Sequence, residues 1–329
     1  NYQYDSLFLS GNLDSTSFNG NISMTDPNLG FVFDGRIPFM DSLPNYKFTL
    51  QLDTLNLMPL GFHAKPIGMS STVELDLWDY RIDDLEGNLV LTNFTIQDSS
   101  NIFHSDSIHL NSTADGAGNR QLALDSEWLQ FGLEGQYTLS KLPKELLDWL
   151  DQNFPINTII FPNDSTSINT DSTEDVVLSR TNIKAYLRVN ESPPIAKIFL
   201  PELKELDSID INLEFDKASE LWNLQATVPG IEYGNYQIDS LSFISYYEDN
   251  RLSNLLTSSE FRSGQNTFIY RPSVEAFLKN DSLHFELQSS ENTDSLSWQV
   301  GGDLTTNSEE ILFKFNPQVR LDGESWNVN

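Results

Sequence analysis

No cysteine occurs among the 329 residues, which removes disulfides, thiolate metal centres and cysteine nucleophiles together. Basic residues are also scarce: 19 Lys and Arg stand against 48 Asp and Glu, a net charge of −29. Nucleic-acid phosphates and anionic headgroups both need clustered cations, so nucleic acid and anionic surfaces are discounted as partners. No apolar run approaches the roughly 20 residues that cross a bilayer, and no basic-then-apolar leader opens the chain.

Sites of chemistry are missing as well. The four histidines, His63, His104, His109 and His284, form no pair at the spacing that would help assemble three or four zinc ligands. His109 and His284 fall on the polar faces of their strands, which predicts surface positions. Acidic pairs such as Asp83-Asp84, Glu309-Glu310 and Asp210-Glu214 arise readily in a chain this acidic, and no Asp-x-Asp-x-Asp-Gly loop accompanies them. Neither a Gly-x-Ser-x-Gly elbow nor a phosphate-binding glycine loop occurs. The expectation is a protein that is not an enzyme and needs no cofactor.

What the chain does have is alternation. In Leu206 to Phe215, LDSIDINLEF, the residues Ile209, Ile211, Leu213 and Phe215 lie on one side, with Asp210, Asn212 and Glu214 on the other. That is the period of a half-buried β-strand. Phe48, Leu50 and Leu52 repeat it, as do Val73 to Leu77, Leu129, Phe131 and Leu133, Ile183 and Leu187, Trp222 and Leu224, and Leu283 and Phe285. Gly135 interrupts one apolar row, where a missing side chain permits a bend or a close approach.

An Asp-Ser pair precedes several of these runs, as at Ser6, Ser107, Ser208, Ser240, Ser282 and Ser295. Short polar side chains bond nearby backbone, so the pair reads first as strand entry. The pair also resembles an O-glycosylation acceptor used on exported proteins of some diderm bacteria. The Asn-x-Ser/Thr sequons, Asn93 and Asn111 among them, are as frequent as this composition yields by accident.

One helix is predicted, Leu142 to Asn153. Pro143 suits a first turn, Glu145 the positive end, and Leu142, Leu146, Trp149 and Leu150 form an apolar stripe. Such a helix plugs or caps the open end of a sheet. The polar run Asn163 to Asp175 reads as a linker. The organisation expected is therefore a β segment over 1–155 ending in the helix, a polar loop over 156–178, and a further β segment over 179–329. The chain reads as a segment of something longer.

Three stretches carry a family likeness: Asp26 to Gly35 followed by Tyr46 to Leu50 and Asp53 to Leu57; Trp128 to Asn153, which contains KLPKELLDWLDQN; and Pro317 to Trp326. Together they resemble the TamB-like proteins of the AsmA-like superfamily. The resemblance implies an all-β, elongated, mostly antiparallel sheet curled into an open apolar groove, a β-taco. It implies an inner-membrane-anchored protein in the periplasm of a diderm bacterium, with the anchor outside this chain, an outer-membrane barrel partner docking elsewhere, and phospholipid acyl chains as cargo.

On that reading the groove lining is Phe48, Leu50, Leu52, Leu129, Phe131, Leu133, Ile183, Leu187, Ile209, Ile211, Leu213, Phe215, Trp222, Leu224, Leu283 and Phe285. The alternative from the strands alone is a closed β-sandwich serving as an adhesin or carbohydrate-binding module.

Overall fold

The computed structural model describes residues 2–39, 44–79, 81–154, 180–190, 194–264, 266–279, 282–292, 295–306, 311–316, 318–321 and 324–327. The fold is all-β and antiparallel in its described pairings, with the amphipathic helix α1 at Leu142–Asn153. A second, short helix, α2 at Pro194–Phe199, was not anticipated from the sequence. The chain forms two compact units, Asn1–Gly135 with Tyr186–Lys204 and Gln136–Ala185 with Glu205–Asn329. The break thus precedes α1 instead of following it, and the expected loop over 156–178 lies outside the described residues.

In the first unit β1 (Leu7–Leu13), β2 (Ser17–Thr25), β3 (Leu29–Pro38), β4 (Asn45–Asn56), β5 (Gly68–Trp78), β6 (Glu86–Gln97), β7 (Ile102–Ala114), β8 (Arg120–Ser126) and β9 (Leu129–Gln136) follow one another as hairpins. No pairing among the described residues joins β1 to β9, so this sheet is not closed. β10 (Asn182–Val189) and β11 (Leu203–Leu206) come next in sequence.

The second unit holds β12 (Ile209–Asp216), β13 (Leu221–Tyr233), β14 (Tyr236–Glu248), β15 (Arg251–Thr257), β16 (Glu260–Ser263), β17 (Asn266–Tyr270), β18 (Ser273–Lys279), β19 (Ser282–Asn292) and β20 (Ser295–Thr306). Shorter strands β21 (Ile311–Phe315), β22 (Gln318–Leu321) and β23 (Glu324–Asn327) complete it. Local chemistry sets the turns. Asp249 and Asn250, both left-handed at φ 51° and 60°, make the two-residue β14–β15 hairpin, a conformation that Asp and Asn tolerate.

A line of backbone irregularities crosses the first unit's sheet. On β4 the apolar positions change from even (Phe48, Leu50, Leu52) to odd (Leu55, and Leu57 just past the strand's end), because an extra residue sits between Leu52 and Leu55. On β6 they change from odd (Leu89, Leu91) to even (Phe94, Ile96) at Asn93, φ 51°. On β7 the change falls at Asp106-Ser107, where Asp106 stands opposite Asn93. β5 runs straight, and its Val73 and Met69 pair with Leu91 and Ile96 respectively. The extra residues therefore keep one face apolar while bending the strands that carry them.

The second unit has its own line of the same kind. It passes through Asp207-Ser208 between β11 and β12, Pro229-Gly230 on β13, Asp239-Ser240 on β14, Ser258-Ser259, Arg271-Pro272, and the irregular register at Ser289/Ser290 on β19. β14 changes partner there, pairing with β16 over Tyr236 to Asp239 and with β15 from Ser242 onward.

Serine hydroxyls take up the carbonyls that these breaks release from the ladder. Ser71 donates to the Thr92 carbonyl at 3.2 Å, Ser258 to Asp239 at 2.7 Å and Ser289 to Tyr270 at 2.7 Å. The Asp-Ser pairs at 5–6 and 207–208 do precede strands, and Ser282 and Ser295 open β19 and β20. Ser107 and Ser240 correct the simple strand-entry expectation, since both lie inside long strands at the point where parity switches.

Beyond its line of breaks the first unit has a closed core. Ile67, Ile96, Phe103 and Ile198 of α2 are buried together, with Leu57, Met69, Phe94 and Trp128 packed around them. Trp128 meets Phe103 edge-on at 5.5 Å.

Candidate functional site

On the other side of the first unit's line lies a broad apolar face. Pairing places Phe48, Leu75, Leu89, Leu110, Leu124 and Phe131 in one row across β4 to β9, and all six are half-buried. A neighbouring row runs Leu9, Ile22, Phe33, Leu50, Val73, Leu91 and Ile108. Within it Phe33 is buried, whereas Leu9 is 64% exposed on the outermost strand. Polar side chains occupy the opposite face. There Lys47 bonds Asp76 at 2.7 Å and Asn111 bonds Asn88 at 2.7 Å.

The second unit repeats the arrangement with a difference. Phe215, Trp222, Tyr247 and Leu252 share a row at the hairpin ends of β12 to β15, and α1 covers it. Trp149 stacks on Trp222 at 5.3 Å and meets Phe215 and Tyr247 edge-on at 5.6 and 5.3 Å. Phe215 beneath that ring is 1% exposed and Trp222 5%, while Tyr247 is half-buried; Leu252 in the same row is 1% exposed. The indole N–H of Trp222 donates to the buried Ser245 hydroxyl at 2.9 Å. The helix is held further by the Thr181 hydroxyl, which donates to Glu145, and by Lys144–Asp148 one turn apart.

One residue pair along, the row runs Leu213, Leu224, Ser245, Asn254, Ala276 and Phe285, half-buried except for the buried Ser245, and the next runs Ile211, Ala226, Phe243, Leu256, Val274, Leu287 and Val300, half-buried except for Leu256, which is 38% exposed.

The residues expected to line a groove thus fall into two groups. Phe48, Leu50, Leu52, Leu129, Phe131, Leu187, Ile209, Ile211, Leu213, Leu224 and Phe285 are half-buried. Leu133, Ile183, Phe215, Trp222 and Leu283 are buried to 8% exposure or less, Phe215 and Trp222 because the Trp149 ring packs on them. Leu75, Leu89, Leu110, Leu124, Phe243 and Leu287 belong to the same rows, although only their strand alternation marked them in the sequence.

Among the modification candidates, Ser6, Ser208 and Ser240 are exposed, Ser107 and Ser282 half-buried, and the side chain of Ser295 lies outside the described residues. Ser6 and Ser240 are left-handed, at φ 41° and 55°.

No group of three or more His, Asp and Glu side chains placed to hold a metal ion occurs among the described residues, and no described helix is long and apolar enough to cross a membrane. His109 is exposed as expected. His284 is half-buried instead, stacked on Phe277 at 4.9 Å with its Nδ1 against the Asp303 carboxylate.

Several carboxylates titrate below their ordinary value of 3.8. The Tyr2 hydroxyl holds Asp26 down, the Thr16 hydroxyl Asp14, Lys47 with Asn45 Asp76, backbone N–H groups of Ser100 and Asn101 Asp98, and the Asn119 amide Asp115. A depressed folded-state value gives stability that is present above the unfolded value and lost as pH falls through the folded one. The thermal midpoint should therefore fall on acidification below about pH 3.8, even though protonation relieves the repulsion of a −29 chain. A midpoint that climbs steadily from pH 4 to pH 2 in a thermal titration would contradict this assignment.

Comparison with protein-family models, characterised proteins and solved structures finds no match to this chain.

Proposed function

We propose that the chain is a periplasmic segment of a TamB-like protein of the AsmA-like superfamily, and that its apolar sheet faces shield phospholipid acyl chains passing between the inner and outer membranes of a diderm bacterium. The outer-membrane barrel partner would engage other parts of that protein. The supporting observation is the row Phe48, Leu75, Leu89, Leu110, Leu124 and Phe131, six apolar residues on six adjacent strands with none buried. The inner face of a sandwich buries such a row against a second sheet. A half-covered row with polar residues behind it suits a solvent-screened acyl chain, each buried methylene contributing about 0.8 kcal/mol.

The experiment is lipid extraction of the purified chain followed by mass spectrometry. Phospholipid should be recovered in amounts well above those from an acidic control protein.

The exposed serines of the Asp-Ser pairs, Ser6, Ser208 and Ser240, are proposed as glycan acceptors if the protein is exported by a host with that machinery. Intact mass of native protein tests this, and a mass equal to the bare chain would refute it.

A further inference from the structure

We propose that one end of the first unit, formed by the β4–β5 connection, the β6–β7 hairpin and α2, docks on the interface of a zwitterionic phospholipid bilayer. Contact of this end with a membrane surface does not depend on whether the sheet faces shield acyl chains.

Register brings the three segments together. Asn56, Gly68, Gln97 and Ile102 stand in one cross-strand row at the ends of β4 to β7. Leu57 and Ile67, at either end of the β4–β5 connection, pack with Ile96, Phe103 and the α2 residue Ile198 in the buried cluster. The apolar residues next to that cluster are left in water: Met58 is 46% exposed, Phe62 70%, Ile102 65%, Phe199 57% and Leu200 51%. Apolar exposure gathered at one place marks an interaction surface.

Charge selects the partner. No Asp or Glu occurs from Thr54 to Val73 or from Ser192 to Pro201, although the 329 residues include 48 carboxylates. His63 and Lys65 lie in the first of these stretches and Lys197 in the second. Asp98 in the β6–β7 turn accepts the Ser100 and Asn101 N–H groups, both at 2.7 Å, and lies within the field of Lys65. Asp26 in the neighbouring β2–β3 turn is 6% exposed and accepts the Tyr2 hydroxyl and the Asn28 N–H.

The opposite end of the same sheet is as apolar, with Phe39 53%, Trp78 55% and Ile82 56% exposed. There, however, Asp79, Asp83, Asp84 and Glu86 stand among them. A headgroup layer would strip water from those carboxylates at high cost, whereas the Phe62 turn carries none.

The Phe62 turn is also prepared to leave water. Its Leu57 N–H donates to the Ile67 carbonyl at 2.9 Å, Gly61 N–H to Met58 at 3.1 Å and Phe62 N–H to Leu57 at 2.9 Å. The Lys65 N–H donates to Nδ1 of His63 at 3.0 Å. These donors are paired before contact, so the turn can enter the interface without orphaning them. Phe62 and Met58 can then reach the acyl boundary while Lys65 stays among headgroup phosphates. Five apolar side chains on three segments suit a fluid surface that closes around each. A stable protein interface engages roughly 20–30 residues on each side.

Flotation of the full chain with vesicles of phosphatidylcholine and phosphatidylethanolamine tests the assignment. The parent should float with the vesicles. Phe62→Asp with Phe199→Asp should lower the floated fraction by about tenfold or more, and Lys65→Glu several-fold. Trp78→Asp with Ile82→Asp, at the acidic end, should change it by less than about twofold. All five are exposed positions, so the core is untouched. Leu224→Asp with Phe285→Asp should float like the parent, because its apolar rows take no part in this contact.

A folded parent that stays off the vesicles would overturn the proposal. So would a folded Phe62→Asp, Phe199→Asp protein that floats like the parent, or equal losses from the two ends. None of these results bears on the recovery of extracted phospholipid, which tests acyl shielding separately.

Discussion

Deletion of Ser240 is expected to destabilise the second unit by about 1–3 kcal/mol, whereas Ser240→Gly should leave its stability unchanged or raise it by up to about 1 kcal/mol. Ser240 is the residue at which β14 changes parity, with Tyr236 and Ile238 apolar on its even side and Leu241 and Phe243 on its odd side. Removing it leaves plain alternation on β14, with Tyr236, Ile238, Leu241 and Phe243 still on one face, but β13 keeps its own extra residue at Pro229 and the two strands no longer match in length across the break. The deletion also shifts Tyr236 to Asp239 against both β13 and β16. The cost is the lost ladder bonds and strain where β13 must accommodate its unmatched residue, about 1–3 kcal/mol.

Glycine at the same position keeps the count. Ser240 has φ 55°, a conformation that costs an L-residue about 1–2 kcal/mol and glycine nothing sterically, with glycine's greater unfolded-state entropy offsetting part of the gain. Denaturant melts of both variants check the contrast. A deletion variant that melts like the parent would mean that the irregularity at Ser240 does not set the register.

Carboxylates placed in the apolar rows should remove bound lipid without the same change on the polar face doing so. Leu75→Asp with Leu89→Asp acts on the first unit, and Leu224→Asp with Phe285→Asp on the second. All four residues are half-buried, so an ionised group there keeps some water in the free protein. A lipid methylene lying over it would strip that water away, and an uncompensated charge does not tolerate this.

Each pair should spare the lipid held by the other unit. The fourfold variant should retain at least tenfold less than the parent, equivalent to about 1.4 kcal/mol. Thr49→Asp with Gln121→Asp, on the polar face of the first unit, is the matched control and should retain parental levels. Equal lipid in the fourfold variant and the control, with both folded, would place the lipid elsewhere.

The alternation that identifies the strands is local and survives in the structure. Phe48 to Leu52, Leu129 to Leu133 and Ile209 to Phe215 all fall within strands, and α1 occupies the predicted residues. The lines of breaks are harder to see because their signal is a change of parity, spread over β4, β6, β7, β13 and β14 and visible only once strands are paired. Asp106-Ser107 and Asp239-Ser240 carry it, but the same dipeptide also starts β19 and β20, so the residues alone do not separate bend from turn.

Burial was illegible for a related reason. Phe215 and Leu213 sit on one face of one strand, and only the arrival of Trp149 from a helix more than sixty residues earlier buries one and leaves the other half-open. α2 was missed because it is only six residues long and two prolines, Pro193 and Pro194, stand at its start. Its role, bringing Ile198 onto Ile67, Ile96 and Phe103, is a tertiary contact.

The most direct test of the proposed function is native mass spectrometry of the chain, purified in detergent-free buffer after exposure to phospholipid vesicles. Acyl-chain shielding predicts folded protein carrying intact phospholipid, lost in the fourfold Asp variant. Folded protein at the bare-chain mass under the same conditions would contradict it.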